Sequence, residues 1–68
     1  MNGHVLWWDN RDGYGILEDE AGNEIYFDSS VLIPRDIRDK LKHKVKLTFE
    51  INDKIKDCLC ACEVQLVP

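Results

Sequence analysis

Alternation of apolar and polar side chains is the dominant pattern of this chain. It is clearest over residues 45–52, where four apolar side chains share one parity and three polar ones share the other: Val45, Leu47, Phe49 and Ile51 against Lys46, Thr48 and Glu50. A period of two predicts a strand with one buried face. Segments rich in β-branched and aromatic residues, bounded by turn formers, predict four more strands, at 4–10, 14–19, 24–28 and 56–67.

Two of these strands carry aromatic side chains on a predicted outer face. Tyr14 and Ile16 share one face of the second strand. In the third strand Tyr26 points outward, opposite its inward neighbours Ile25 and Phe27. A Gly-Asn pair at 22–23 separates the two strands and is a hairpin signal. We therefore expect the strands to pair and their tyrosines to stand side by side.

The first predicted strand carries two adjacent tryptophans, Trp7 and Trp8. Both faces of this strand are apolar at its centre, so alternation leaves open which ring is buried. Each ring is either a surface aromatic or a side chain that packs in the core or at its edge.

The segment between the third and fourth predicted strands has a different pattern. Pro34 has no N–H group and interrupts regular structure. After it, Ile37 and Leu41 are four residues apart, which predicts one or two helical turns from Asp36 to Lys42. Asp36 is also a residue type that caps helices.

Length and composition indicate one globular domain spanning residues 1–68. The chain is 44% hydrophobic and 32% charged, which argues against disorder. A domain this short has a small core and needs efficient packing or a partner. The formal net charge of −4 counts against tight electrostatic binding of nucleic acid, although base stacking does not require a basic protein.

The charge is unevenly distributed along the chain. Residues 1–34 contain seven carboxylates and one arginine, whereas residues 35–46, here called the basic block, contain six basic side chains and two aspartates. The basic block is the candidate segment for attracting phosphates. The alternative is a solvated loop whose lysines keep the protein soluble.

Five segments resemble, in order and at suitable spacing, the motifs of the cold-shock domain family. Residues 12–17 (Asp-Gly-Tyr-Gly-Ile-Leu) resemble the family's first ribonucleoprotein motif, Lys-Gly-Phe/Tyr-Gly-Phe-Ile. Residues 25–28 (Ile-Tyr-Phe-Asp) resemble the second, Val-Phe-Val-His. Residues 3–9 are similar to the family's Gly-x-Val-Lys-Trp-Phe-Asn, and residues 47–51 and 61–64 to its last two strands.

The resemblance implies an all-β fold, a five-stranded antiparallel barrel of the OB type. The family's connection between strands 3 and 4 is mostly a long loop, so a short helical turn there would be a local departure. A small barrel of the SH3-like type is the alternative fold.

By the same resemblance, we expect weak binding of single-stranded RNA or DNA by base stacking, with little sequence preference. The candidate binding side chains are those at the family's aromatic positions and the lysines of the basic block: Trp7, Trp8, Tyr14, Ile16, Tyr26, Lys40, Lys42 and Lys44. The alternative is a degenerate barrel whose aromatic patch binds a protein partner or forms a homodimer. A basic block beside the aromatic face favours nucleic acid, and one on the opposite side favours a protein partner.

Five positions depart from the family pattern. Leu6 and Asp12 replace lysines, Ile16 a phenylalanine, Asp28 a histidine, and Ser29 an aromatic residue. An exposed carboxylate repels a phosphate by about 1 kcal/mol or less at physiological salt. A stacked base contributes about 1–3 kcal/mol, so we expect weak binding to persist and tight binding to be lost.

Metal binding has little support in the sequence. Cys58, Cys60 and Cys62 alternate along a predicted strand, which separates successive thiols by roughly 6.5–7 Å, too far for neighbouring zinc ligands. We expect free, buried thiols that act as small apolar side chains, with no disulfide between Cys58 and Cys62. If the first three strands pair, three carboxylates could meet and hold a divalent cation: Asp9, Asp12 and Asp28. The favoured alternative is that these acids are separate and solvated.

The remaining expectations rest on patterns that the sequence lacks. No nucleophile–base–acid set and no glycine-rich phosphate loop can be recognised, so we expect neither an enzyme nor a cofactor. No segment resembles a secretory signal peptide or has the length of a membrane-spanning helix. A cytoplasmic location without a membrane partner is therefore expected.

Overall fold

The computed structural model describes residues 1–52 and 59–67, and within them the chain forms a single sheet. Its strands are β1 (Asn2–Asp9), β2 (Tyr14–Asp19), β3 (Glu24–Asp28), β4 (Lys46–Ile51) and β5 (Ala61–Leu66). The predicted bounds of β2 and β3 are confirmed, and those of β1 and β4 differ by one or two residues. β5 begins later than predicted, although residues 56–58 and most of the turn predicted at 52–54 lie outside the described residues.

The sheet is antiparallel and has the strand order β3-β2-β1-β4-β5. The sheet curls into a half-barrel, which brings the β3 edge and the β5 edge together. Two isolated parallel bridges join these edges, Tyr26 with Cys60 and Leu32 with Val64. The main-chain N–H of Ile33 also donates to the carbonyl of Val64, at 2.8 Å. The predicted OB-like, all-β fold is thereby confirmed.

The core lies inside the curl and consists of the side chains that alternate inward. The largest fully buried ones come from all five strands: Phe27, Phe49, Leu17, Ile25, Leu47, Val5 and Val64. The inward faces predicted for β3 and β4 from their alternation are confirmed. Burial of a side chain of this size contributes about 1.5–3 kcal/mol, so these positions supply most of the driving force for the fold.

A β-bulge in β1 decides which tryptophan faces outward. Val5 pairs with Leu17, but the residue that pairs with the adjacent Ile16 is Trp7, so Leu6 is the extra residue of the bulge. The bulge reverses the parity of the strand. Val5 is fully buried, whereas Trp7, two residues later, is 45% exposed.

A second bulge interrupts the pairing of β5 with β4. It is centred on Glu63, whose φ of 51° lies in the left-handed region. Ala61 before the bulge and Val64 after it both face the core, although they differ in parity. Strict alternation along the predicted last strand therefore does not hold.

The cysteines follow this interrupted pattern. Cys60 is buried and Cys62 is a half-buried, free thiol. The predicted burial is confirmed for Cys60, whereas Cys62 is only partly covered. Cys58 lies outside the described residues.

Two short 3-10 helices, Ser29–Val31 and Arg35–Lys40, lie between β3 and β4. The second confirms the position of the predicted helical turn and buries Ile37. The predicted cap by Asp36 is wrong, because the extended backbone of Pro34 makes that residue the N-cap and places Asp36 inside the first turn. In the described part of the chain, no helix combines the length and the apolar character that crossing a membrane requires.

Candidate nucleic-acid interface

The outer face of β1, β2 and β3 carries its side chains in three rows that run across the strands. From one end of the strands to the other, the rows are Asp9–Tyr14–Asp28, Trp7–Ile16–Tyr26 and His4–Glu18–Glu24. All nine side chains lie on the same face, because residues directly opposite each other in neighbouring strands project to the same side of the sheet. The face therefore has an aromatic centre between two rows that contain carboxylates.

Three exposed rings form a continuous group on this face, here called the aromatic cluster: Trp7, Tyr14 and Tyr26. Trp7 meets Tyr14 edge to face, with ring centroids 5.4 Å apart. The centroids of Tyr14 and Tyr26 are 6.3 Å apart and their planes are tilted by 30°. The expectation of two tyrosines side by side is confirmed, and half-buried Ile16 lies between Trp7 and Tyr26 in the central row.

Gly15 allows β2 to lie close to the bulge that turns Trp7 outward. A Cβ atom on Gly15 would lie 2.4 Å from the main-chain oxygen of Trp7 and 3.0 Å from Cε3 of Trp8. Any side chain would therefore push β1 away or displace the Trp8 ring. The need for glycine here is steric.

Trp8 is not part of the aromatic cluster. Its half-buried ring stacks on Phe27 of the core, with centroids 5.1 Å apart and planes 24° from parallel. Its indole Nε1–H donates to the side-chain oxygen of Asn10 at 3.2 Å. Of the two tryptophans predicted to bind, the structure brings only Trp7 together with the tyrosines.

The carboxylates in the Tyr14 row hold local turns. Asp9 accepts hydrogen bonds from two main-chain N–H groups of the β1–β2 turn, both at 3.0 Å. Asp28 caps the 3-10 helix that follows β3 by accepting the N–H of Ser30 at 2.9 Å. Across residues 1–52 and 59–67, no three histidine, cysteine, aspartate or glutamate side chains are grouped so that they could hold a metal ion.

Asp19 organises the hairpin turn between β2 and β3. The side-chain amide of Asn23 donates to it at 3.0 Å, and main-chain N–H groups of Asn23 and Ala21 donate at 2.9 Å. These hydrogen bonds, first that of the Asn23 side chain, lower the pKa of Asp19 below its usual value. Gly22 adopts φ of 86° in this turn, in line with the predicted hairpin signal.

The basic block follows the edge of β1 that faces β4. The guanidinium group of Arg38 donates to the main-chain and side-chain oxygens of Asn10, at the end of β1. The ring Nδ1 of His43 lies 2.7 Å from the carbonyl oxygen of Leu6. The main-chain N–H of Lys44 donates to the carbonyl of Val5, the residue before Leu6 in β1, at 2.8 Å.

The lysines of the block are exposed along this edge. Lys40 ends the second 3-10 helix, Lys42 and Lys44 lie in the turn before β4, and Lys46 pairs with His4. Lys46 and Arg38 were not among the sequence candidates. The outward parity of Lys46 in segment 45–52 was a usable signal, whereas the contact of Arg38 with Asn10 joins residues 28 positions apart and leaves no local pattern.

Comparison of the chain with protein-family models and with curated proteins found no relative. No protein-family model matches the chain, and a search of the curated proteins found no match. The resemblance to cold-shock domains therefore depends on the residues quoted above.

Proposed function

We propose that this protein binds single-stranded RNA or DNA, weakly and with little sequence preference, by stacking bases on Trp7, Tyr14 and Tyr26. The observation that carries the proposal is the continuity of the aromatic cluster, whose neighbouring centroids are 5.4 and 6.3 Å apart. Rings exposed at this spacing on the face of an OB-like sheet can each receive a base. The resemblance to cold-shock domains supports the same reading, and the cytoplasmic location stays a prediction.

The expected affinity is low for an electrostatic reason. Each stacked base contributes about 1–3 kcal/mol. The outer face also carries four carboxylates: Asp9, Glu18, Glu24 and Asp28. Each repels a phosphate by about 1 kcal/mol or less. Three stacked bases contribute about 3–9 kcal/mol, of which repulsion removes up to about 4 kcal/mol, and the remainder corresponds to weak binding.

The low sequence preference follows from the kind of contact. Every base has a π face, so a stacking surface accepts all four bases. The basic block supports the proposal as well, because it runs beside β1, the strand that carries Trp7. Lys40, Lys42 and Lys44 stay candidates for attracting the phosphates. The proposed role is that of a binding module without catalysis.

A protein partner or a second copy of the chain is the competing candidate, and the four carboxylates around the aromatic cluster favour it. An aromatic centre with a polar rim is typical of protein interfaces. Such a surface would attract a basic partner, whereas a nucleic acid would meet the same carboxylates as repulsion.

Fluorescence anisotropy of a labelled ten-nucleotide oligothymidine or oligouridine tests the proposal. Alanine variants of Trp7, Tyr14 and Tyr26 should each weaken binding by about 5- to 150-fold, the equivalent of about 1–3 kcal/mol. Ile33→Ala removes an exposed apolar side chain outside the outer face of β1–β3, in the segment that is hydrogen-bonded to β5, and is the matched control, expected to bind as the wild type does.

Two outcomes would contradict the proposal. One is an absence of binding at high micromolar protein for a folded wild type. The other is an equal loss of affinity in the aromatic variants and in the control. Sedimentation of the wild type at the same concentrations would then test self-association, which should be abolished by Trp7→Ala if the cluster is a homodimer interface.

A further inference from the structure

Charge changes sign across the outer surface of the sheet. β3 contributes Glu24 and Asp28 to this face, and β2 contributes Glu18. The row that contains Glu18 and Glu24 continues through His4 to Lys46 on β4. The potential thus rises from the β3 side, which is acidic, to the β1–β4 side, which is basic.

The basic side is fixed in register with β1. Contacts with main-chain oxygens of β1 and its following turn occur in order along the strand, from Arg38 at Asn10 to His43 at Leu6. Lys44 and Lys46 continue the series beside Val5 and His4. The edge carries a line of cations parallel to β1, here called the basic ledge: Arg38, Lys42, Lys44 and Lys46.

Three carboxylates lie beside this ledge, and one of them is Asp39 of the basic block, which accepts a hydrogen bond from the side-chain amide of Asn10 at 3.1 Å. Glu18 lies 3.5 Å from Nε2 of His4, which stands between it and Lys46. Asp9, at the other end of β1, is directed to main-chain N–H groups of its turn. A phosphate on the ledge therefore meets several cations beside these carboxylates, whereas a phosphate over β3 would face Glu24 and Asp28, with two strands between it and the ledge.

We propose that a single-stranded nucleic acid lies along β1 with its phosphates on the basic ledge and its bases turned inward onto the aromatic cluster. This inference rests on the proposed function and adds the path of the ligand. Arg38 is the most defined contact, since two hydrogen bonds to Asn10 hold its guanidinium group in place. The lysines act as exposed charges that attract successive phosphates.

The ledge also sets the length of the binding site. From His4 to Asn10 the strand spans roughly 20 Å, at about 3.3 Å per residue. Lys44 and Lys46 line a groove of about 860 Å³ together with three acidic side chains, which disfavour continuation of the phosphate path past Lys46: Glu18, Asp19 and Glu20. About four to six nucleotides fit this length, at the low end of the range for OB folds.

Salt dependence measured with matched charge variants tests the path. For single strands, log K falls with log[salt] with a slope of about −0.7 per phosphate neutralised. We expect a wild-type slope near −2.8 for the four cations, and a decrease in its magnitude of about 0.7 in Lys46→Gln. Arg35→Gln removes the same charge at the start of the second 3-10 helix, next to the segment that joins β5, and should leave the slope unchanged.

A second charge variant controls for misfolding. Asparagine suits the positive φ of 73° at position 44, so Lys44→Asn should fold. It should decrease the magnitude of the salt slope by the same amount as Lys46→Gln. In a series of oligothymidines from two to ten nucleotides, affinity should rise steeply up to about six and then level off.

The outcomes separate this inference from the proposed function. Suppose that the wild type binds and that the aromatic variants weaken binding, but that Arg35→Gln decreases the magnitude of the salt slope as much as Lys46→Gln does. The proposed path along the ledge is then wrong, whereas the proposed base stacking still holds. If affinity continues to rise steeply beyond six nucleotides, the path is likewise wrong. If the wild type does not bind, both proposals fail.

Discussion

Replacing Gly15 by alanine tests the packing that turns Trp7 outward and Trp8 inward. The new Cβ would lie 2.4 Å from the main-chain oxygen of Trp7 and 3.0 Å from Cε3 of Trp8. A main-chain oxygen cannot rotate aside as a flexible side chain can. Either β1 shifts at its bulge, or the Trp8 ring leaves its stacked position on Phe27.

The size of the effect follows from overpacking. Forcing an additional carbon into a packed site costs about 1–3 kcal/mol. For a domain of this size, each kcal/mol corresponds to roughly 4–8 °C in Tm. The Tm of Gly15→Ala should therefore fall by about 4–24 °C.

Gly22→Ala is the matched control, because it adds the same atom without a clash. A Cβ at Gly22 meets no atom within 4 Å, so the cost comes only from φ of 86° and should be about 1–2 kcal/mol. Gly22→Asn should recover part of that loss, since asparagine tolerates this backbone conformation.

Thermal denaturation followed by circular dichroism, with tryptophan emission recorded in parallel, measures both effects. Gly15→Ala should show altered tryptophan emission, because its clash involves both tryptophans, whereas Gly22→Ala should keep the emission of the wild type. A Tm for Gly15→Ala equal to that of the wild type would refute the bulge at Leu6 and the inward position of Trp8.

Three further predictions concern the turns that frame the aromatic cluster. Asp28→Ala removes the cap of the helix Ser29–Val31 and should lower stability by about 1 kcal/mol in chemical denaturation, whereas Asp28→Asn should retain most of it; equal losses would contradict the cap. Asn10→Ala removes the partner of Trp8, Arg38 and Asp39 and should cost about 1–2 kcal/mol, so an unchanged denaturation midpoint would contradict that network. The lowered pKa of Asp19 means that its carboxylate stabilises the fold above the unfolded pKa of about 3.9, and that this contribution is lost as the pH falls through the lower folded value. Asp19→Asn should therefore lose less Tm than the wild type on acidification below about pH 4, and an equal loss would contradict the assignment.

The sequence predicts the sheet well where one face of a strand is buried without interruption. In β3 and β4 the alternation identifies both the strand and its inward side chains, because a period of two leaves no other arrangement. The 3-10 helix was also located, since Ile37 and Pro34 give local signals.

Bulges explain most of what the sequence does not reveal. The extra residue Leu6 reverses parity in β1, and nothing in the local pattern distinguishes it from a regular strand residue. The choice between Trp7 and Trp8 as the exposed ring therefore depends on pairing with β2. Similarly, the bulge at Glu63 brings residues of both parities into the core.

The position of the basic block could not be predicted from the sequence either. Its register with β1 is set by contacts between residues far apart in the chain, such as His43 with Leu6 and Arg38 with Asn10. Each cation was visible in the sequence, but its distance from the aromatic side chains was not. The sequence therefore gives the composition of the candidate site and the fold gives its arrangement.

The most direct test of the central claim is the emission of Trp7 alone during titration with a six-nucleotide oligothymidine or oligouridine. In Trp8→Phe, which keeps an aromatic ring on Phe27, Trp7 is the sole tryptophan. Stacking of a base on Trp7 predicts quenching that saturates and that requires more ligand at higher salt. The reciprocal variant Trp7→Phe should show little quenching of the inward Trp8. Unchanged emission of Trp7 at high micromolar oligonucleotide, in a variant with a folded circular dichroism spectrum, would contradict nucleic-acid binding on this face.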